Sequence, residues 1–509
     1  MNVTRKRSIK LTFASLALGL AGCISTEQFQ NDVTLSREAA YRRWKSRKER
    51  EEQTQPVVTG KLSMVDCLKL TLTHNKALQR MVEEKEIARG EELKSYSVIL
   101  PTVGLTGDYT RLDEVTSFEI GPPDGPKERI QFGDVDNYSV GLMVTQPVFA
   151  GGAIPARLNA ARVFSLLSDQ TVRAAAQQVV YAAEHAYYDV LLSQHLVDIS
   201  ADAVRSAQAH LDSVKQKRQG GIASDFDVLR AEVELSNFQA ELIQNKNGID
   251  VAKANLMKVM GVSQDSDFLL SDELTYVPSE VTVEQAVEAA YRHRPDLLGK
   301  EFDVRLQKER LNVARSRYLP VINGYYSNTW AKPDPHSMME IEWGHAWQAG
   351  LQASLPIFDG LMREGEMVAQ KARVRQAQVD LVDAEETALF ELTKAQLTIE
   401  NAAEFVESQA LNLTRAKEGL RLAEVGYREG TNTQVEMIDA QAALTTARAN
   451  YYQAIYSHIV AKLDLNRAMG TLARVQTTVP ADETEKAKSR AADENASVAF
   501  ARPSREKTK

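Results

Sequence analysis

The sequence predicts a mainly α-helical protein with a β-barrel, built from a duplicated unit that combines a strand hairpin with long coiled-coil helices. Three observations predict this fold class. Landmark residues recur at a fixed offset, short segments alternate apolar and polar residues, and long proline-free segments keep a heptad of apolar positions. Alternation with period two is typical of strands, and a sustained 3.5-residue repeat is typical of packed helices.

The bulk composition limits the class of protein to which the chain belongs. Of its 509 residues, 43% are hydrophobic and 26% are charged, as in ordinary folded proteins exposed to water. No run of 18 apolar residues lies outside the extreme N-terminus, so no membrane-spanning helix is predicted in the body. The net charge of −8 argues against nucleic acid as a partner, because phosphate binding needs a basic face.

Residues 1–22 have the pattern of a lipoprotein signal peptide. Four basic residues precede a short apolar run, Leu11 to Leu20, and Cys23 lies where processing would occur. Such a run is too short for a membrane span and is typical of a secretory signal. The sequence Leu-Ala-Gly-Cys at 20–23 resembles a bacterial lipobox, which implies cleavage before Cys23 and its acylation. Ile24 favours the outer membrane, because the familiar inner-membrane retention signal has Asp there. The alternative is an ordinary signal peptide with a chance cysteine.

The two ends of the mature chain are polar. Residues 23–60 are expected to form a tether after the lipid anchor, and residues 476–509 are expected to be disordered. Cys67 is the only other cysteine, so no internal disulfide is expected, and stability must come from packing and assembly.

The body of the chain contains one unit twice, in a first repeat over 61–270 and a second over 271–475. Three residue pairs are 209 positions apart, and two earlier pairs are 219 apart. The pairs at 209 are Gly221 with Gly430, Gly261 with Gly470 and Pro147 with Pro356, and those at 219 are Pro101 with Pro320 and His74 with His293. A Gly/Pro-rich loop at 121–126 accounts for the ten-residue difference. A duplication explains both offsets.

Each repeat has the same order of predicted elements. A helix ended by proline is followed by two strands, a helix on the order of 100 Å long, a glycine turn and a return helix. In the first repeat these are helix 76–98, strands within 102–148, long helix 151–219 and return helix 225–260; in the second they are helix 296–318, strands within 321–357, long helix 360–429 and return helix 434–469.

The four strand segments of one chain are too few to close a barrel in a membrane. A lipid-embedded sheet must close to satisfy its edges, and known barrels have about eight strands or more. Two chains would give eight strands, whose side chains fill the interior. Three would give twelve and leave a lumen, with the aromatic face toward lipid. The alternative is an edge of a soluble sandwich, which the flanking long helices fit poorly.

Several motifs at these positions resemble the TolC family of outer-membrane efflux channels, in its lipid-anchored, OprM-like branch. The motifs are His293-Arg294-Pro295-Asp296-Leu297-Leu298, Leu355-Pro356-Ile357-Phe358-Asp359-Gly360, its counterpart Gln146-Pro147-Val148-Phe149-Ala150-Gly151-Gly152, and Tyr427-Arg428-Glu429-Gly430. The resemblance covers roughly 60 to 475. It implies a homotrimer whose twelve-stranded outer-membrane barrel stands on an α-helical periplasmic tunnel.

The resemblance also implies the function and its partners. Such a channel is the outer-membrane exit of a tripartite efflux system in a Gram-negative bacterium. It passively conducts small molecules from an inner-membrane pump, here expected to be proton-driven, and docks on a periplasmic adaptor, or membrane fusion, protein. It needs no cofactor. An exit duct for secreted proteins or for metal ions is left open by the same resemblance.

The two helix-reversing turns, 219–227 and 429–436, are expected to form the periplasmic entrance. Their glycines are Gly220, Gly221 and Gly430, and the residues that match gate positions of the family are Glu436, Asp439, Tyr427, Asp227 and Asn432. Asn432 stands where TolC has an arginine. Threefold symmetry would bring the acidic pair at 436 and 439 into a ring that attracts cations. The alternatives are a solvated helix start for the acidic residues and a packing aromatic for Tyr427.

The sequence gives no support for an enzyme. It has no phosphate-binding loop, no His-Glu-x-x-His and no Gly-x-Ser-x-Gly, so no catalytic or metal-ligating residue is proposed. The strongest rival class is a lipid-anchored coiled-coil tether or adhesin without a lumen. That class would explain the heptads and the anchor but not the paired strands.

Overall fold

The computed structural model describes residues 26–49, 55–122, 124–279, 281–337 and 341–472. The predicted lipidation site Cys23 and the predicted disordered tail, 476–509, lie outside these residues. The described residues divide into two compact units, one made of those up to 60 with 262–268, and one made of the others. Apart from residues 262–268, both sequence repeats therefore belong to the same compact unit.

The smaller unit begins with helix α1, Thr26–Glu49, in the segment predicted as a polar tether. Its side chains are mostly exposed over the described part, and the rings of Tyr41 and Trp44 stack at 5.9 Å. Elsewhere in this unit the amide of Ser263 donates to the carbonyl of Pro56 at 3.0 Å. Two short strands, β1 (Thr59–Leu62) and β6 (Asp267–Leu270), pair with each other.

In the larger unit, each repeat opens with two short helices. These are α2 (Met64–His74) and α3 (Lys76–Ser95) in the first repeat, and α6 (Val283–His293) and α7 (Pro295–Ser316) in the second. Pro295 occupies the first turn of α7, where the missing amide hydrogen is not needed. Arg294, just before it, is buried, pairs with Asp296 and Glu391 at 2.7 Å each, and donates to the Ala468 carbonyl. The Arg-Pro-Asp motif therefore ties α7 to two later helices.

Four long helices make up most of the larger unit. They are α4 (Ala153–Gln219), α5 (Asp225–Met260), α8 (Met362–Glu429) and α9 (Gln434–Ala468). The first and third, with 67 and 68 residues, are rods on the order of 100 Å. Each pairs with the return helix that follows it, and α4 also contacts α3, α7 and α9. The mainly helical fold class is thus confirmed.

The core of the α4–α5 pair follows the predicted heptad only in part. Ala183, Val190 and Leu211 are buried as that repeat requires, but Val197 and Val204 are only half-buried. The buried positions shift instead to residues such as Ala203 and Ala207, which pack against α5. A straight α-helix drifts against a strict seven-residue repeat, so the buried stripe moves around α4.

Four strands form one antiparallel sheet in the order β2–β5–β7–β8. Their bounds are β2 Thr102–Arg111, β5 Asp136–Ala150, β7 Val321–Lys332 and β8 Gly344–Ser354. The register aligns Leu105 with Leu142, and Val140 with Trp330. The predicted apolar positions therefore share one face. In the described sheet, β2 and β8 each have a strand neighbour on one side only.

A second hairpin lies between β2 and β5, where the sequence predicts only a loop. It consists of β3 (Thr116–Ile120) and β4 (Glu128–Phe132), which pair Phe118 with Ile130. The described residues of the Gly/Pro-rich segment, 121–122 and 124–126, lie between these two strands. The loop that accounts for the unequal repeat offset is therefore the end of an inserted hairpin.

No helix among the described residues is both long enough and apolar enough to cross a membrane.

Candidate functional site

The two helix-reversing turns have the same backbone design, 209 residues apart. Gly221 and Gly430 have φ values of +77° and +78°, in the left-handed region that favours glycine. After the first glycine the amide of Ile222 returns to the Lys217 carbonyl at 2.8 Å, and after the second the amide of Thr431 returns to the Gly426 carbonyl at 2.8 Å. Gly220 caps α4 with an ordinary helical φ of −79°. These contacts reverse the chain within a few residues.

A capping box begins the return helix after each turn. Asp227 accepts from the amide of Ser224 at 2.8 Å, and Glu436 accepts from the amide of Thr433 at 2.7 Å. Each hydroxyl in turn accepts from the backbone amide of its acidic partner. The backbone amide and the hydroxyl of Ser224 hold the pKa of Asp227 below its usual value. Both acidic residues therefore stabilise helix starts, which is the alternative considered for Glu436.

Asp439 lies one turn further along α9 than Glu436. Both side chains are exposed in the single chain. A spacing of three residues places them on one face of α9, as predicted. Capping engages one oxygen of Glu436 and leaves the other oxygen accessible, so a capping role and a charged-ring role are compatible.

Tyr427 is half-buried and joins α8 to α4. The Nζ atom of Lys217 lies 3.8 Å from the centre of its ring, and the His210 ring meets it edge-on with centroids 5.6 Å apart. A cation over an aromatic face is attracted by the ring quadrupole. Tyr427 therefore packs the end of the second repeat against the first.

Asn432 folds back onto the end of α8. Its backbone N–H donates to the Gly426 carbonyl at 3.1 Å. A Cβ atom added to Gly426 would lie 2.5 Å from the Asn432 side-chain carbon Cγ, so the side chain fits only because residue 426 is glycine. Asn432 thus completes the turn of its own chain, and its contacts here are short-range.

Two residues that the sequence analysis did not single out lie at the centre of this region. The Nε2 atom of Gln434, in α9, donates to the Asp227 carbonyl at 3.0 Å and lies 3.3 Å from Nε2 of His210 in α4. Gln434 and His210 are each 8% exposed. Together they connect both turns of one chain.

The repeat offset itself carries a signal for Gln434. In the first turn, Arg218 and Asp225 form an exposed ion pair at 2.5 Å. The positions 209 residues later hold Tyr427 and Gln434 instead. An exposed ion pair contributes little to stability, whereas both replacements contact the first repeat. Position-by-position comparison of the two turns would therefore have identified Gln434, but it gives no signal for His210.

A cavity of about 410 Å³ opens beside these contacts, between α4, α5, α8 and α9. His210, Lys217, Glu234, Glu424, Tyr427 and Arg428 line it, with apolar residues of α5 and α9. The described residues contain no group of three His, Cys, Asp or Glu side chains placed to hold a metal ion. The site is therefore a packed joint between helices with charged groups at its margin.

A duplicated strand–helix–helix unit, with four strands in one sheet and long helices reversed at two turns, defines a channel-forming class of outer-membrane protein. The chain belongs to the family described as "Outer membrane efflux protein", whose model matches residues 68–262 and 286–471. The predicted resemblance to TolC and the predicted outer-membrane location are confirmed. The protein is an outer-membrane efflux channel.

Known relatives are distant but match over most of their length. "Outer membrane protein TolC" of Escherichia coli (strain K12) is 22% identical, over 78% of this chain and 80% of its own. "Proteases secretion protein PrtF" of Dickeya chrysanthemi is 21% identical, over 81% and 88%. The outer membrane protein VceC of Vibrio cholerae matches in structure with a TM-score of 0.68 and 16% identity, over 80% of this chain and 96% of VceC. These similarities agree with the fold of an outer-membrane channel.

Proposed function

We propose that three copies of the chain close a twelve-stranded barrel above a helical tunnel, through which small molecules leave the cell. The observation that carries this proposal is a four-stranded sheet with two open edges, β2 and β8. Its apolar face is exposed in the single chain, with Leu105 at 72% and Leu351 at 74%. An apolar face is stable against lipid, whereas open strand edges are unstable in lipid unless neighbouring copies pair with them.

Exposed apolar residues on the long helices support assembly of the tunnel. On α8, Phe390 and Leu397 are 68% and 61% exposed, seven residues apart. On α5, Ile243 and Val251 have similar exposure. Apolar positions that recur at helical spacing on an exposed face are typical of a contact with another helix. Neighbouring copies would supply these helices.

The gate is the second part of the proposal. Glu436 and Asp439 from three copies form an acidic ring at the entrance, while Asp227 caps the first return helix. Tyr427 holds α8 against α4, and Asn432 shapes the second turn in place of a charged link. Support comes from the exposure of the acidic pair and from the packing of Tyr427 on Lys217 and His210.

The remaining parts concern anchoring and partners. Acylation at Cys23 attaches the chain to the outer membrane, and residues 23–60 connect that anchor to the body. The entrance turns dock on a periplasmic adaptor that leads to an inner-membrane pump. Mass spectrometry of the purified mature N-terminus tests the anchor, and cross-linking from the exposed Ile222, followed by identification of the captured protein, tests the adaptor.

Protein export is a second candidate for the cargo. The relative PrtF is named for protease secretion and matches 81% of this chain, an extent similar to that of TolC. A deletion strain distinguishes the two. Increased sensitivity to toxic small molecules with an unchanged set of secreted proteins supports small-molecule efflux, and the reverse pattern supports export of proteins.

Assembly and conduction are tested together in purified protein. The full chain in detergent is expected to have the mass of a trimer and to give ion-conducting channels in a planar bilayer. Leu397→Asp places a charge in the exposed apolar row of α8 and is expected to reduce both trimer and conductance. Leu397→Met keeps the apolar contact and serves as the control. A monomer that never conducts would refute the channel.

A further inference from the structure

A single side chain connects the two entrance turns within one protomer. Gln434 donates to the Asp227 carbonyl at 3.0 Å, and the same nitrogen lies 3.3 Å from Nε2 of His210. Both side chains are 8% exposed, so little of either is in contact with solvent. The contact ties the first residue of α9 to the start of α5 and to α4.

The hydrogen-bond chemistry fixes the protonation of His210 in this arrangement. A carbonyl oxygen only accepts, so the Asp227 contact requires the amide nitrogen of Gln434 at that position. An amide nitrogen only donates, so the imidazole Nε2 must accept and carry no proton. Protonation of His210 would set two N–H groups against each other, which breaks this bond.

A second arrangement of the same residues is available to a charged imidazole. The Oε1 atom of Gln434 is buried and has no hydrogen-bond partner among the described residues. If the side-chain amide of Gln434 rotated by half a turn, its Oε1 atom would accept a hydrogen bond from the protonated His210. The same Oε1 atom would then face the carbonyl oxygen of Asp227, and the bond to Asp227 would be lost. One proton therefore exchanges the Gln434–Asp227 bond for a Gln434–His210 bond. The contact between Gln434, His210 and Asp227 therefore has two discrete hydrogen-bond arrangements.

The charged and titratable groups around His210 come from three helices. Lys217 lies on its own helix, α4; Glu234 lies on α5; and Glu424, Tyr427 and Arg428 lie on α8. The residues that α9 contributes to this cavity wall are uncharged: Met437, Ile438 and Gln441. Burial, and then the charge of Lys217, lower the pKa of His210. The cavity of about 410 Å³ gives water and protons access to the ring.

We propose that His210, Gln434 and Asp227 form an acid-sensitive latch, which holds α9 to the first turn when His210 is neutral and releases it when His210 is protonated. The inference rests on the proposed entrance and adds a regulation to it. Because the closed latch binds the proton less well than a free histidine does, it is fully closed above about pH 6.5 and weakens as pH falls. Each unit by which the pKa is lowered corresponds to about a tenfold change in the latch equilibrium.

The test is the conductance of the purified full chain in a planar bilayer between pH 8 and pH 5. Wild-type channels are expected to open more as the pH falls below about 6.5. His210→Gln, which cannot be protonated, is expected to lose this response while still conducting. Gln434→Leu removes the donor to Asp227 and is expected to be more open at pH 8, with little further change in acid.

A histidine elsewhere on α4 provides the matched control. His195 stacks on Tyr452 at 4.1 Å, and burial lowers its pKa as well. His195→Gln should keep the wild-type response. If His210→Gln retained the pH response, or His195→Gln lost it, the proposed latch would be wrong. The proposed channel would be unaffected by either result. If no variant and no wild-type sample conducted at any pH, the proposed channel itself would fail.

Discussion

At the scale of single residues, Glu436 has an observed role in capping and a proposed role in a charged ring. Glu436 caps α9 through the amide of Thr433 and is also exposed beside Asp439. Removing the side chain changes both properties at once, so an alanine variant alone does not identify the role. Glutamine separates them, because Gln at this position of a capping box still accepts the bond from the backbone.

We therefore predict different outcomes for two variants of Glu436. Glu436→Gln, combined with Asp439→Asn, should keep thermal stability and lose cation preference in single-channel recordings. Glu436→Ala should in addition reduce the stability of the helix start by about 1 kcal/mol. Unchanged ion preference in the double variant would leave capping as the only role of Glu436. The charged ring would then be absent.

Glu184 gives a prediction for the pH dependence of stability. Burial in α4 raises the pKa of Glu184 from 4.5 to about 7. Between these two values the folded chain binds the proton more strongly than the unfolded chain, so this residue lowers stability as pH rises. Glu184→Gln should therefore raise the melting temperature at pH 8, by an amount that reflects roughly 1 to 3 kcal/mol, and not at pH 4. Thermal unfolding followed by circular dichroism measures both, and an equal gain at the two pH values would contradict the assignment.

At the scale of elements, proline positions predicted where the helices before the strands end. Alternation of apolar and polar residues predicted the four strands of the larger sheet and their apolar face. Pro101 and Pro320 mark the ends of the helical segments before the strands, and period two placed Leu105, Val140 and Trp330 on one face. These signals are local, because each residue limits its own backbone or its own face. The hairpin β3–β4 was missed because its ten strand residues lie beside a Gly/Pro-rich connection that masked the alternation.

Contacts between distant elements were harder to predict. The sequence marked Glu436 and Tyr427 but not Gln434 and His210, which are 224 residues apart. Single glutamines and histidines have no characteristic spacing, and burial decides their role. The half-buried Val197 and Val204 illustrate the same limit, since a strict heptad cannot show where a helix drifts away from its partner.

Gly261 gives a prediction at this scale. It ends α5 with a φ of +72°, and a Cβ atom there would overlap the His74 carbonyl, so an L side chain meets both strain and collision. Gly261→Ala should cost at least about 2 kcal/mol of stability and lower the melting temperature. Gly90→Ala is the control, because nothing lies within 4 Å of its added Cβ in α3 and a helix-interior alanine should stabilise by about 0.5 to 1 kcal/mol. Equal effects of the two changes would contradict this account of Gly261.

At the scale of the whole molecule, the proposed barrel and the proposed acidic ring both depend on further copies of the chain. The sheet has open edges at β2 and β8, and the entrance presents acidic side chains whose effect depends on copies brought together by symmetry. Alternation along one strand shows which face is apolar, but it contains no information about the register with a second chain. The proposed number of three copies therefore depends on the strand count and on the width needed for a lumen.

Closure of the sheet predicts which residues of β2 and β8 lie on the same face where two copies meet. If β8 of one copy pairs with β2 of the next, residues of the apolar face must line up with one another across the new edge, because side chains alternate strictly along a strand. Cysteine at Leu105, combined in turn with cysteine at Trp347, Ala349, Leu351 or Ala353, should give a disulfide-linked trimer for the best-aligned pair of this set.

Combinations of cysteine at Leu105 with cysteine at Gln348, Gly350 or Gln352, which lie on the opposite face, should stay unlinked. Cys67 is fully buried and does not compete. Oxidation followed by denaturing electrophoresis distinguishes the two sets, and links that ignored parity, or no link in either set, would mean that these two edges do not pair.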